Sequence, residues 1–216
     1  MRTMQVQVYQ FSELSDSAKE KAREWYREGE SQDFGSFGEL YEPAETAAAL
    51  LGITFAQNTV KLHGGKTRQE PNIMWSGFSS QGDGACFTGS YEFVPGCWET
   101  IRNEFPKDTV LHGIADKLAA MNGALRLLQG GKLAGTITQS GNYCHKYTMD
   151  ATATNSVDGE ELEAETSEQF LGVMRDFADW IYKGLEAEYD WRMSDEAVDE
   201  NIEANEYEFD EDGGPA

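Results

Sequence analysis

The densest run of chemically capable side chains is Ser79-Ser80-Gln81-Gly82-Asp83-Gly84-Ala85. Two hydroxyls, an amide and a carboxylate share a glycine-flexed turn, with Trp75, Phe78 and Phe87 close by in sequence. That is the set of groups a small polar ligand such as a signalling nucleotide needs. Ser79, Ser80, Gln81 and Asp83 are therefore the candidate ligand residues. Gly, Asp and Ser are also ordinary turn residues, so a structural turn is the competing reading.

Catalytic patterns come close and fail. Gly77-Phe78-Ser79-Ser80-Gln81 lacks the second glycine of a nucleophile elbow, and the turn joins strand to strand rather than strand to helix. Gly64-Gly65-Lys66-Thr67 imitates the end of a P-loop, but Val60 stands where its first glycine belongs and no helix signal follows. The three histidines, His63, His112 and His145, have no sequence neighbours suited to orient a general base. Cys86, Cys97 and Cys144 form an odd set without paired spacing, which implies reduced thiols rather than a disulfide framework. With Cys144-His145 adjacent and the other Cys and His scattered, no zinc site is expected. The chain reads as a non-enzyme that needs no cofactor and no metal.

The elements that would position these groups are legible in the patterning. Met4–Phe11 alternates as a half-buried strand, and a helix capped by Ser15 follows with Leu14, Ala18, Ala22 and Trp25 on one face, ending at Gly29. After a Gly- and aromatic-rich loop, Gln32–Tyr41, a short helix should run from Pro43 to Gly52. Strands are expected over Ile53–Leu62, Asn72–Ser79 and Ala85–Val94, then a short helix over Trp98–Phe105. Leu111, Ile114, Leu118, Met121, Leu125 and Leu128 step along a longer helix capped by Asp108 and stopped at Gly130-Gly131. A second hairpin should join Leu133–Thr138 to Tyr143–Thr154.

Two acidic helices complete the pattern. Residues Glu160–Tyr189 carry an apolar face of Leu162, Phe170, Val173, Met174, Phe177, Ile181 and Leu185. A last helix capped by Ser194 carries Val198 and Ile202. Tyr207 and Phe209 are placed to dock the segment 206–216, whose last four residues read as loose. The expectation is one α+β domain of 216 residues: an antiparallel sheet packed by helices (1–157), an acidic helical C-terminal region (158–205) and an acidic tail.

Charge separates that C-terminal region from the rest. Of 39 acidic residues, 21 lie between Asp158 and Asp212, where the bases are Arg175, Lys183 and Arg192. Localised negative charge repels nucleic acid and anionic membranes and attracts basic protein surfaces. A solvated helical face is the competing reading, yet the excess is larger than solubility requires. Asp176, Asp179, Glu186, Asp190, Asp195, Asp199 and Glu203 are predicted to project from the two helices as partner-binding carboxylates. The segment Met1–Val6 lacks the apolar run of a signal peptide, and no stretch is long enough to span a bilayer, which predicts a cytoplasmic protein.

Three stretches together resemble a family of phage and prophage proteins, some of them labelled antitoxin-like. They are Leu14-Ser15-Asp16 through Trp25-Tyr26, Trp75-Ser76-Gly77 through Cys86-Phe87, and Ser194-Asp195-Glu196-Ala197 through Phe209. The resemblance implies a viral origin and action in a bacterial host cytoplasm. It supplies no catalytic residues. Small acidic phage proteins of this broad type resemble inhibitors of the anti-CRISPR or anti-restriction kind. Those occupy the nucleic-acid groove of a host protein or ribonucleoprotein complex, where carboxylates replace phosphates against Lys and Arg. The alternatives are a small-ligand site at Ser79–Asp83 and neutralisation of a basic toxin.

Overall fold

The computed structural model describes residues 7–30, 41–62 and 64–216. In chain order its elements begin with β1 (Tyr9–Gln10), α1 (Asp16–Glu30), α2 (Glu42–Leu51), β2 (Ile53–Phe55), β3 (Gln57–Lys61) and β4 (Thr67–Pro71). The middle of the chain contains β5 (Ile73–Ser76), β6 (Gly84–Phe87), β7 (Gly89–Glu92), α3 (Cys97–Glu104) and α4 (Thr109–Leu128). The remainder forms β8 (Leu133–Gln139), β9 (Met149–Asn155), α5 (Ala164–Arg192), α6 (Asp195–Ala204) and β10 (Glu208–Phe209). Strand pairing among the described residues is antiparallel throughout, and with the helices this makes an α+β fold. The chain groups into two compact units, one of residues 38–185 and one of residues 1–37 with 186–216.

The larger unit is organised by a four-stranded sheet in the order β2-β7-β8-β9. Alternation along β9 buries Met149, Ala151, Ala153 and Asn155, and Leu133, Gly135 and Ile137 do the same on β8. The apolar face of α5 meets that surface, as its period predicts. Phe170 approaches so closely that a Cβ on Gly135 would lie 2.6 Å from its ring, which is why a glycine stands there. Phe170, Val173, Met174, Phe177, Ile181 and Leu185 are all buried.

The single strand expected over Ile53–Leu62 is broken at Ala56, where the chain changes partner. Ala56 N–H donates to Thr88 O at 2.8 Å, Thr88 N–H to Asn72 O at 3.2 Å, and Asn72 N–H to Ala56 O at 2.7 Å. This closed ring of three backbone hydrogen bonds lets the pairs β2–β7, β3–β4 and β5–β6 meet without orphaned amides. The polar strand β4 has no propensity signal of its own and exists because β3 offers it a ladder. The second hairpin also differs from expectation. Gln139 pairs with Met149, so the connection spans Ser140–Thr148 rather than four residues.

Helix ends follow local chemistry. Asp108 Oδ1 accepts from the amides of Val110 and Leu111 at 3.1 and 2.9 Å, and Gly52 closes α2 at φ +92°. Gly29 does not end α1, which continues to Glu30. On the α4 stripe Leu111, Ile114, Leu118 and Leu125 are buried and Met121 is half-buried, but Leu128 is 82% exposed.

Tyr91 is 2% exposed, and among the described residues its hydroxyl has no hydrogen-bond partner. An unmade buried hydrogen bond costs roughly 1–3 kcal/mol, so Tyr91→Phe is expected to raise stability by about 1 kcal/mol. A urea-unfolding midpoint that stays unchanged or falls would contradict this.

The smaller unit is built on Phe11, Leu14, Ala18, Ala22, Val198, Ile202 and Phe209, all buried. Ser15 Oγ accepts from Ala18 N–H at 3.3 Å and caps α1. Of the expected opening strand Met4–Phe11, the described part pairs at Tyr9–Gln10, with Glu208–Phe209; residues 1–6 lie outside the described residues, as do 31–40. Trp25 meets the rings of Tyr207 and Phe209 edge-on at 5.2 and 5.7 Å. The tail docks as expected, but its last residues are not loose. Asp210 N–H donates to Gly214 O at 2.8 Å and Ala216 N–H to Glu208 O at 3.0 Å.

Candidate functional site

Four of the seven carboxylates predicted to face a partner are neutralised within the protein. In the larger unit, Asp176 Oδ2 lies 2.6 Å from Lys117 Nζ, and Asp179 Oδ1 lies 3.0 Å from Lys146 Nζ. In the smaller unit, Asp199 receives both arms of the Arg23 guanidinium, at 2.6 and 2.7 Å, and Asp195 pairs with Arg27. Arg23 is thereby held above its ordinary pKa, chiefly by the hydrogen bonding it donates to Asp199. Bidentate geometry of this kind fixes register as well as charge. These two aspartates lock α6 onto α1. Glu186 has a partner within the protein, and Asp190 is exposed.

Glu203 remains exposed, and it is joined by two residues outside the predicted seven. Glu196, Glu200 and Glu203 step by four and three along α6, so they share one face. Among the described residues none of the three has an ion-pair partner. The opposite face buries Ala197, Val198 and Ile202, and Ser194 Oγ caps the first turn by accepting from Ala197 N–H at 3.3 Å. Helical period alone could find this row. Separating it from Asp195 and Asp199 required knowing where Arg23 and Arg27 fold.

Exposed negative charge continues through Glu206, Glu208, Glu211 and Asp212. Residues 186–216 contain 13 carboxylate side chains and one base, Arg192. Burial pushes the Tyr26 hydroxyl of the same unit up to about 12, helped by the charge and hydrogen bond of Glu30. A raised folded-state pKa means the folded form binds the proton more tightly, so this contribution is complete below about pH 10 and is lost as pH rises through about 12. Wild type should therefore lose more stability than Tyr26→Phe across that window. Parallel slopes of urea midpoint against pH would refute it.

The Ser79–Asp83 loop is organised around its own carboxylate. Asp83 Oδ2 accepts from the amides of Ser79 and Ser80 at 2.9 and 2.6 Å, and Tyr182 O–H donates to Gly77 O at 3.1 Å. Trp75, Phe78 and Tyr182 stack in series at 5.1 and 5.7 Å. Ser79, Ser80 and Gln81 point to solvent, while Asp83 serves the turn. His112 Nε2 lies 2.8 Å from Phe105 O, and His145 Nδ1 accepts from Tyr147 N–H at 3.2 Å; His63 lies outside the described residues. Cys86 and Cys97 are buried, which raises both thiols above their ordinary pKa.

Among the described residues no group of three or more His, Cys, Asp or Glu is placed to hold a metal ion. No helix among them is long and apolar enough to cross a membrane. No curated protein and no solved structure matches the chain. Over residues 37–195, most of its length and the whole of the larger unit, the chain matches the model of a domain of unknown function (DUF8835), and it belongs to that family.

Proposed function

We propose that this protein is a non-enzymatic, phage-encoded acidic inhibitor that binds the basic, nucleic-acid-binding surface of a host defence or DNA-processing complex. It acts in the bacterial cytoplasm by nucleic-acid mimicry. The row Glu196, Glu200 and Glu203 carries this reading. Its charges are unneutralised within the described chain, and the helix that bears them is capped, buried on its other face and tied to α1 by two ion pairs. Rigidity matters because carboxylates held in place pay less ordering entropy on docking than those of a mobile tail. The family match ends at residue 195, so the row is assigned to this chain rather than to the family as a whole.

Affinity capture from nuclease-treated host lysate, at low and high salt and with duplex DNA as competitor, tests the proposal. A nucleic-acid-binding complex should be retained at low salt, released at high salt and displaced by the duplex, because charge-dominated contacts are screened and compete with phosphate. Retention that resists both salt and duplex would overturn it. So would failure to retain any nucleic-acid-binding complex.

A further inference from the structure

In the larger unit, remote in sequence from α6, a cavity of about 680 Å³ opens between the end of β7, α3, α4 and the start of β8. Its volume lies within the range of small-molecule sites. Its wall is unusual for so acidic a protein: Arg126 and Lys132 both line it, and among the described residues neither has an ion-pair partner. Trp98, 36% exposed, contributes an aromatic surface.

Asn122 also lines the cavity and is only 8% exposed. Its Oδ1 accepts from Leu133 N–H at 3.0 Å, while its amide NH₂ has no partner among the described residues. That NH₂ is not among the buried unpartnered atoms, so it is open to donate to an acceptor in the cavity. The groups on offer are therefore two cations, an amide donor and a ring face, with Glu92 as an acceptor on the same wall. A bare anion would use the cations and be repelled by Glu92. A ligand with an anionic group, hydroxyl or amine donors and a flat ring uses all of them.

We propose that this cavity binds a nucleoside monophosphate, with the phosphate held by Arg126 and Lys132, the base against Trp98 and an acceptor of the ligand facing the Asn122 amide. Glu92 takes a ribose hydroxyl or an exocyclic amine. Arg and Lys supply the charge for phosphate, and aromatic faces accept any base by stacking. The residues fall inside the family match, 37–195, and the proposal stands independently of the acidic row.

Isothermal titration of the full chain with the 5′-monophosphates of adenosine, guanosine, cytidine and uridine, and with inorganic phosphate, is the test. At least one nucleotide should bind with a Kd of about 1 mM or tighter, and inorganic phosphate at least about tenfold more weakly. Arg126→Ala/Lys132→Ala and Trp98→Ala should each weaken binding about tenfold or more. Gly123 lines the cavity, and a Cβ there would meet no atom within 4 Å, so Gly123→Leu should fill the space and abolish binding. Leucine is the better helix former, which should leave the thermal midpoint unchanged or raised. The double alanine variant alters only exposed side chains and decides the question alone if Gly123→Leu does not fold. No binding by any of the four nucleotides overturns the proposal, as does phosphate binding as tightly as nucleotide, or affinity that survives the double variant.

Discussion

Truncating Phe177 to alanine lowers the stability of the protein by about 3–5 kcal/mol, a large share of the 5–15 kcal/mol typical of a folded domain. Phe177 is fully buried, and its ring meets three others: Phe55 stacked at 6.4 Å, Phe87 edge-on at 5.7 Å and Trp180 stacked at 5.6 Å. Those partners belong to β2, β6 and α5, so the ring joins the helix to two separate strand pairs. Neighbours on different rigid elements cannot all move inward, and the cavity left by truncation stays largely open. Trp180 is further constrained because its Nε1–H donates to Asp108 Oδ2 at 2.6 Å. With a denaturant dependence of about 1–3 kcal/mol per molar urea, the midpoint should fall by at least about 1 M. A loss under about 1.5 kcal/mol would mean that the surrounding rings collapse into the space.

Reversing three charges on α6 tests the functional reading at its source. Glu196→Lys/Glu200→Lys/Glu203→Lys should weaken binding to the captured complex by about 100-fold or more. Each substitution removes an attraction and adds a repulsion, and each exposed pair contributes up to about 1 kcal/mol. The fold should survive, because none of the three side chains has an ion-pair partner among the described residues. Asp195→Asn/Asp199→Asn provides the contrast. Both carboxylates hold Arg23 and Arg27, so their loss should reduce stability at neutral pH and change affinity less. Undiminished binding by the triple variant, with its circular dichroism intact, would rule out the row as the contact surface.

Much of the fold is legible because short-range rules write it. The caps at Ser15, Asp108 and Ser194 depend on a side chain reaching an amide two or three residues away. The inner face of α5 depends on period alone. Leu128 satisfies the same period as Leu111 and Leu125 yet is exposed, because a helical stripe is buried only as far as a neighbour covers it. At β4 the pattern says nothing, since Thr-Arg-Gln-Glu-Pro becomes a strand through its partner rather than its propensity.

The same division runs through the candidate sites. Sequence located the acidic excess and the helices that carry it, because charge and period are properties of consecutive residues. It could not divide Asp195 and Asp199 from Glu196, Glu200 and Glu203, because Arg23 and Arg27 lie more than 160 positions away. The Trp98, Asn122, Arg126 and Lys132 cavity left no motif for the same reason. The composition and local spacing of this protein determine what its elements are and where its charge accumulates. Which carboxylates remain unpaired, and which donors share a cavity, are decided only when the chain folds, because pairing energy depends on distances across space rather than along the chain.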